Sequence, residues 1–219
     1  MGFIGSGSIG RTLAQLAVEA GHQVVLSNSR GPETLVDTAA ELGPRASTAT
    51  SEEAAAAGDI VVVTVPVSAF PHVPAAPLAA KTVIDTCNYG PERDGHIPEL
   101  DNKSLTSSEL LLRYVPDALL VKAFNNIFFK HLLSLARPAG AADRSYLPIA
   151  GDSAPAKAAV TAFIESIGYN VVDAGALAGS WRQATGTPAW GTPYGPYSNE
   201  KGQPVGEHAI RAALATATR

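Results

Sequence analysis

The chain holds one cysteine, Cys87, among 219 residues. That excludes a disulfide framework and a zinc site built on thiolates. Its five histidines stand apart, with no pair at metal-ligand spacing, so no metal site is assigned. Aromatic residues are scarce, at 6%, so the core has to be aliphatic and alanine-rich. Charge is thin as well: 16 basic residues stand against 20 acidic ones, a net charge of -4. Such a balance leaves no electrostatic footprint for nucleic acid or an anionic membrane surface. Long apolar runs are missing. The longest, such as residues 60–63, are strand-sized and cannot span a bilayer. No basic stretch leads into an apolar segment at the start, as a signal peptide would require. A cytoplasmic address is the expectation.

What the chain does have is a 46% apolar content, enough for a full core, and a length suited to one large domain. It opens on an apolar stub that runs into Gly5-Ser6-Gly7-Ser8-Ile9-Gly10. Ile9, Leu13, Leu16, Ala17 and Ala20 follow at helical spacing, and Gly21 stands where a terminating glycine belongs. Residues 23–27 read as a buried strand. The first strand is short, as though two or three residues belonged ahead of Met1. Strand, Gly-x-Gly-x-x-Gly turn, helix and strand within about 30 residues form a dinucleotide-binding fingerprint. Gly5 allows the tight turn, Gly7 lets backbone approach a pyrophosphate, and Gly10 lets the helix lie on the strand. Ser6, Ser8 and Ile9 complete that loop.

The alternation continues downstream. Helices are expected over 32–42, from 51 behind a capping box at Thr50, over 68–80 as an irregular proline-interrupted one, over 107–114 behind a cap at Thr106, and over 125–136, 154–167 and 207–215. Strands are expected over 45–48, 59–66, 81–85, 118–122, 146–150 and 169–173. The fold class is therefore α/β, a doubly wound, mostly parallel Rossmann-type sheet with a small C-terminal extension. Residues 1–150 would form the nucleotide-binding unit. Residues 151–219 would add a β-α-β extension and a lid-like tail, packed on it as one compact unit. The tail, 176–204, is rich in glycine and proline and contains both tryptophans, Trp181 and Trp190, with Tyr194 and Tyr197. Those rings either wall a flat ligand or form a dimer interface, and a homodimer is expected.

The end of the second strand discriminates NAD from NADP. An NAD site usually places a carboxylate there for the ribose 2′-hydroxyl. This chain has Ser27-Asn28-Ser29-Arg30, with two hydroxyls, an amide and a guanidinium. Such a set suits a 2′-phosphate, so NADP(H) is the expected cofactor.

With these residues in view, the sequence resembles the NADP-dependent oxidoreductases of the 8-hydroxy-5-deazaflavin coenzyme, coenzyme F-420. The likeness includes Thr64-Val65-Pro66, Val121-Lys122-Ala123-Phe124-Asn125, Ala150-Gly151-Asp152 with Lys157, and Asp173-Ala174-Gly175. It covers about residues 2–182 and fades past Trp181-Arg182. The nucleotide-binding unit is also similar to the oxidoreductase domains of transmembrane ferric reductases. The resemblance implies that Ser6, Gly7, Ser8 and Ile9 hold the pyrophosphate, and that Asn28, Ser29 and Arg30 hold the 2′-phosphate. It implies that Val67 and Asn88 flank the nicotinamide, and that Asn125 and Phe129 border it and the second cofactor. That second cofactor would be the deazaflavin or a flavin, in a slot bounded by Phe129 and the tail, with Leu177 and Trp181 as its walls.

Hydride transfer between two flat rings is cofactor chemistry, and no catalytic acid or base is assigned. His131 could protonate an oxygen substrate or be a surface or satisfied histidine. Lys122 could meet an anion or simply reach solvent from its strand end. Cys87 reads as a buried, inert thiol. Three functions remain: a deazaflavin oxidoreductase; a reductase of a flavin, quinone, small carbonyl or imine; and a non-catalytic NADP(H) sensor. Dehydrogenases with a large helical second domain are disfavoured, since only about 40 irregular residues follow the last strand.

Overall fold

A computed structural model describes all 219 residues. Parallel strands covered on both faces require near-continuous apolar runs, and the chain supplies them. The first half runs Gly2–Ile4 (β1), Ser8–Glu19 (α1), Val24–Ser27 (β2), Val36–Leu42 (α2), Ala46–Thr48 (β3), Ser51–Ala57 (α3) and Ile60–Val63 (β4). Then come Thr82–Asp85 (β5), the short turns Pro91–Asp94 (α4) and Pro98–Asp101 (α5), Ser107–Tyr114 (α6), Leu119–Lys122 (β6) and Phe129–Ser134 (α7). The last part holds Tyr146–Gly151 (β7), Ala154–Ser166 (α8), Asn170–Asp173 (β8) and Glu207–Ala215 (α9). The eight strands lie in the order β3-β2-β1-β4-β5-β6-β7-β8. Every neighbouring pair is parallel except β6 with β7. This is the expected doubly wound α/β sheet.

Side-chain alternation along the strands feeds two cores. In β4, Val62 joins Phe3, Leu26 and Ile84 beneath α1, α7 and α8. Val61 and Val63 join Ile4 and Val83 on the opposite face, beneath α3 and α6. Each such valine contributes about 1.5–3 kcal/mol by leaving water. The capping boxes are formed: the Thr50 hydroxyl accepts from Glu53 N, and the Thr106 hydroxyl from Glu109 N. Residues 68–80, expected as an irregular helix, are two 3-10 turns, Val67–His72 and Ala76–Leu78. No helix is long and apolar enough to cross a membrane.

One expectation is corrected. The helix foreseen over 125–136 begins only at Phe129. Phe124, fully buried, adopts φ +61° and turns the chain away before a helix can start. A bulky residue in that region costs on the order of 1–3 kcal/mol. The turn frees the side chains of Asn125 and Asn126 for other work.

The seam between β6 and β7 is brief, Val121 opposite Gly151 and Lys122 opposite Ala150. Most of β7 therefore runs on past the C-terminal end of β6. The β7-α8-β8 unit stands beside the sheet edge where ligands of such folds collect.

Candidate functional site

The glycine loop joins β1 to α1. Gly5 has φ +100°, and a Cβ there would run into Thr64 O. A Cβ on Gly10 would lie 2.6 Å from Gly5 O and 2.8 Å from Thr64 Cγ2. Both glycines are required by packing. Gly7 differs: it caps α1, and a Cβ there would meet nothing within 4 Å. The space above it is open, and α1 has no side-chain cap and no acidic residue in its first turn. Its leading N–H groups are free to receive phosphate oxygens. Ser6 Oγ donates to Ser27 O at 2.9 Å, fixing the loop on the end of β2. Ser8 is exposed, and Ile9 packs partly against the core. These residues fit a dinucleotide pyrophosphate.

At the end of β2 the four polar residues divide. Ser27 is fully buried and donates inward to Phe3 O at 2.7 Å. Its hydroxyl is thus structural, a correction to the expected set of donors. Asn28 Oδ1 accepts from Arg30 N at 2.8 Å, and its Nδ2 donates to Thr34 Oγ1 at 2.8 Å. This Asx-type turn presents Ser29 and Arg30 to solvent. The Arg30 guanidinium has no partner within the chain. The Glu33 carboxylate lies over the neighbouring Gly31, where a Cβ would strike it.

A second cluster lies across the sheet edge. Asn88 Nδ2 donates to Asn125 O at 2.6 Å, and Asn125 Nδ2 donates to Asn88 Oδ1 at 3.0 Å and to Gln183 O at 2.8 Å. Gln183 Nε2 returns a bond to Asn125 Oδ1 at 3.2 Å, while its own Oε1 is buried without a partner. Asn126 Nδ2 donates to Ala189 O at 3.0 Å and to Tyr194 Oη at 3.2 Å. Neither Asn126 nor Gln183 was singled out in the sequence. Their partners lie 58 to 68 residues away, beyond any local signal. Asp94 braces the loop after β5. Its buried carboxylate takes bonds from Arg93, from Gly90 N at 3.0 Å and from Ser68 N at 3.4 Å. Burial pushes its pKa up, but the Arg93 bond and the two backbone N–H groups outweigh that and hold it below the usual value.

Between this loop and the tail is a cavity of about 260 Å³. Its polar lining includes Asn88, Ser107, Lys122 and Ser180, with Trp181 and Leu105 among its apolar walls. Of the expected walls, Trp181 lines it and Leu177 does not. Leu177 is buried in the second core, as is the side chain of Val67. Phe129 packs edge-on against Phe128, with ring centroids 4.7 Å apart, and also lies outside the cavity.

Lys122 neither reaches solvent nor stands free for an anion. It is buried, and its Nζ pairs with the buried Asp85 carboxylate at 3.0 Å. Cys87 is the inert thiol expected: burial pushes its pKa well above the ordinary value, with Asp85 adding to the effect. His131 is fully buried, and its Nε2–H donates to Asn199 O at 2.7 Å. It clamps the tail through that one nitrogen, while its Nδ1 is buried without a partner. The tail's rings find neighbours within the chain. Tyr194 is fully buried and donates to Tyr146 O at 2.8 Å, while Trp190 packs edge-on against Tyr197 at 5.8 Å. Tyr194 therefore needs no second subunit to cover it, whereas Tyr197 stays exposed and Trp181 and Trp190 are half-buried.

Residues 1–89 match the family described as NADP oxidoreductase coenzyme F420-dependent. The resemblance seen in the sequence is thus borne out over the phosphate cradle and the first five strands. No curated protein matches the chain. Among solved structures, a hypothetical protein from Sinorhizobium meliloti is 28% identical, with a TM-score of 0.74 over 86% of this chain and 91% of its own. A protein of Arthrobacter sp. FB24, provisionally named an F420-dependent NADP reductase, is 27% identical, with a TM-score of 0.67 over 80% of this chain and 83% of its own. A reductive aminase from Aspergillus terreus, solved with NADPH, is 18% identical, with a TM-score of 0.57 over 81% of this chain and 55% of its own. At that identity the likeness shows the fold alone.

Proposed function

We propose that the chain is an NADP(H)-dependent oxidoreductase that passes a hydride between the nicotinamide and a flat, deazaflavin-like acceptor. One observation carries the reading: the open phosphate cradle over Gly7 and the open cavity at Asn88 and Trp181 lie along the same strand-end edge. In doubly wound sheets a dinucleotide extends along that edge. The match of residues 1–89 to an NADP oxidoreductase family supports it.

In this reading Ser6, Gly7, Ser8 and Ile9 receive the pyrophosphate on the open end of α1. Asn28 shapes the turn from which Ser29 and Arg30 hold the 2′-phosphate. Asn88, Asn125, Phe129 and the main chain at Val67 border the nicotinamide. NADPH, when bound, supplies the hydride. The chain's task is to hold the two rings in contact and keep water out. The tail serves the second purpose, since Asn125 and Asn126 fasten its carbonyls over the sheet edge.

A second reading, reduction of a flavin, quinone or small carbonyl or imine, draws on the polar floor of the cavity at Asn88, Ser107 and Lys122. One experiment separates the readings. NADPH absorbance is followed with 8-hydroxy-5-deazaflavin, with FMN, with menadione, with a small ketone and with no acceptor. Fastest loss with the deazaflavin supports the first reading, and fastest loss with another acceptor moves the site to the second. Tight NADPH binding with no loss to any acceptor overturns both and leaves a sensor.

A further inference from the structure

The cavity floor holds a charged pair that the contact of two flat rings does not call on. The Lys122 ammonium has three protons. They go to Asp85 Oδ2 at 3.0 Å, to Cys87 O, and to Ser107 Oγ at 3.3 Å. Asp85 is itself fixed, accepting from Ser108 Oγ at 2.7 Å and from Cys87 N at 2.8 Å. Because Ser107 Oγ is used as an acceptor by Lys122, its own O–H proton is uncommitted. Ser107 is half-buried and lines the cavity, and its hydroxyl has no other partner. The floor therefore offers one hydroxyl proton, backed by a buried ammonium that β5, β6 and α6 hold in place.

We propose that Ser107 is a catalytic residue that donates its hydroxyl proton to the acceptor as the hydride arrives, with Lys122 as its positioning residue. This rests on the hydride-transfer reading above. The acceptor gains hydrogen and an electron pair from NADPH at an electrophilic carbon. A π pair of the acceptor then moves to a heteroatom, the oxygen of a carbonyl or the ring nitrogen conjugated to that carbon in a flat deazaflavin. That heteroatom takes the Ser107 proton, and water entering the cavity returns one to Ser107, whose oxygen the Lys122 ammonium holds in place. The sum is NADPH, acceptor and one solvent proton giving NADP⁺ and reduced acceptor. A preorganised donor of this kind acts where charge develops, and removing one typically costs about 10²–10³ in rate.

The test compares wild type with Ser107→Ala and Ser107→Thr, using 8-hydroxy-5-deazaflavin and FMN as probes. NADPH affinity is read by nicotinamide fluorescence. The hydride step is read in single turnovers in H₂O and D₂O. A dead-end complex of NADP⁺ with oxidised 8-hydroxy-5-deazaflavin gives a readout independent of turnover, the shift of the bound ring's absorption band. Ser107→Ala is expected to bind NADPH within about twofold of wild type and to slow the hydride step by about 10²-fold. It should also abolish the solvent isotope effect and the band shift. Ser107→Thr, which keeps the hydroxyl, should restore all three. A Ser107→Ala protein that binds NADPH and matches wild type in rate and isotope effect overturns the proposal and leaves the hydride-transfer reading standing. A wild type that binds NADPH and reduces neither probe overturns both.

Discussion

Arg30 is the residue on which cofactor choice should turn, and its setting lets the effect be worked out. It is exposed and has no partner inside the chain, so the fold does not depend on its side chain. Replacing it with alanine should change stability by no more than about 0.5 kcal/mol. In a protein of this size that corresponds to roughly 1–2 °C in Tm. A guanidinium facing a 2′-phosphate makes charge-assisted, often bidentate bonds, and losing them costs roughly 1.5–3 kcal/mol. At about 1.4 kcal/mol per decade, Arg30→Ala should weaken NADPH binding by about 10- to 100-fold. NADH lacks the phosphate and should bind the variant as it binds the wild type. Because the group is exposed, the wild-type preference should also shrink as salt is raised. Titration of nicotinamide fluorescence at low and high ionic strength reads both effects. Equal wild-type affinity for NADPH and NADH would refute the reasoning, as would a variant that loses both cofactors alike.

Five further outcomes are expected. Glu33→Gln, which removes the carboxylate over Gly31, should tighten NADPH severalfold in the same titration. Gly10→Ala should lower Tm, because its Cβ meets Gly5 O at 2.6 Å and overpacking costs about 1–3 kcal/mol. Gly7→Ala should melt near wild type yet weaken NADPH, and thermal melts with and without cofactor distinguish the two variants. Cys87, its pKa raised by burial and by Asp85, should resist a thiol reagent in the native protein at neutral pH and react fully in denaturant. Asp94 has a folded pKa below its unfolded one. It therefore adds stability above about pH 4, the unfolded carboxylate value, and loses it as pH falls through the folded value. Asp94→Asn should melt lower than wild type at pH 7 and converge with it toward pH 2–3, by circular dichroism.

The parts of the fold that were legible in the sequence are those fixed by local spacing. The glycine loop, the caps at Thr50 and Thr106, and the apolar runs of β2, β4, β5 and β6 each carry their signal within a few residues. The start of α7 was missed for the opposite reason. Ile127 and Phe128 extend the apolar pattern of Leu132 and Leu135 backwards, but Asn125 and Asn126 make their bonds to the tail, and tertiary contacts override propensity there. Lys122 and Asp85 were misread or unread because the pair is 37 residues apart and forms only when β5 and β6 align. The cavity walls were half legible. Trp181 was recognisable as a flat wall, whereas the inward turn of Leu177 follows from its packing in the second core.

The way the tail is fastened has a consequence for how such a chain can diversify. Side chains of the segment after β6 grip it mostly by its main chain: Asn125 holds Gln183 O, Asn126 holds Ala189 O, His131 holds Asn199 O and Ser134 holds Lys201 O. A grip on carbonyls is indifferent to the identity of the residue that bears them. Between those fixed points, Ala184, Thr185, Gly186 and Thr187 all face the cavity. Ala184 and Thr185 can be rewritten without loosening the strap, whereas Gly186, at φ +84°, and Thr187, whose hydroxyl donates to Ala184 O at 2.8 Å, hold its turn. The chain thus separates an unchanging handle from an interchangeable reading surface, and a library confined to residues 184 and 185 should retune acceptor choice while NADPH binding and melting temperature stay put.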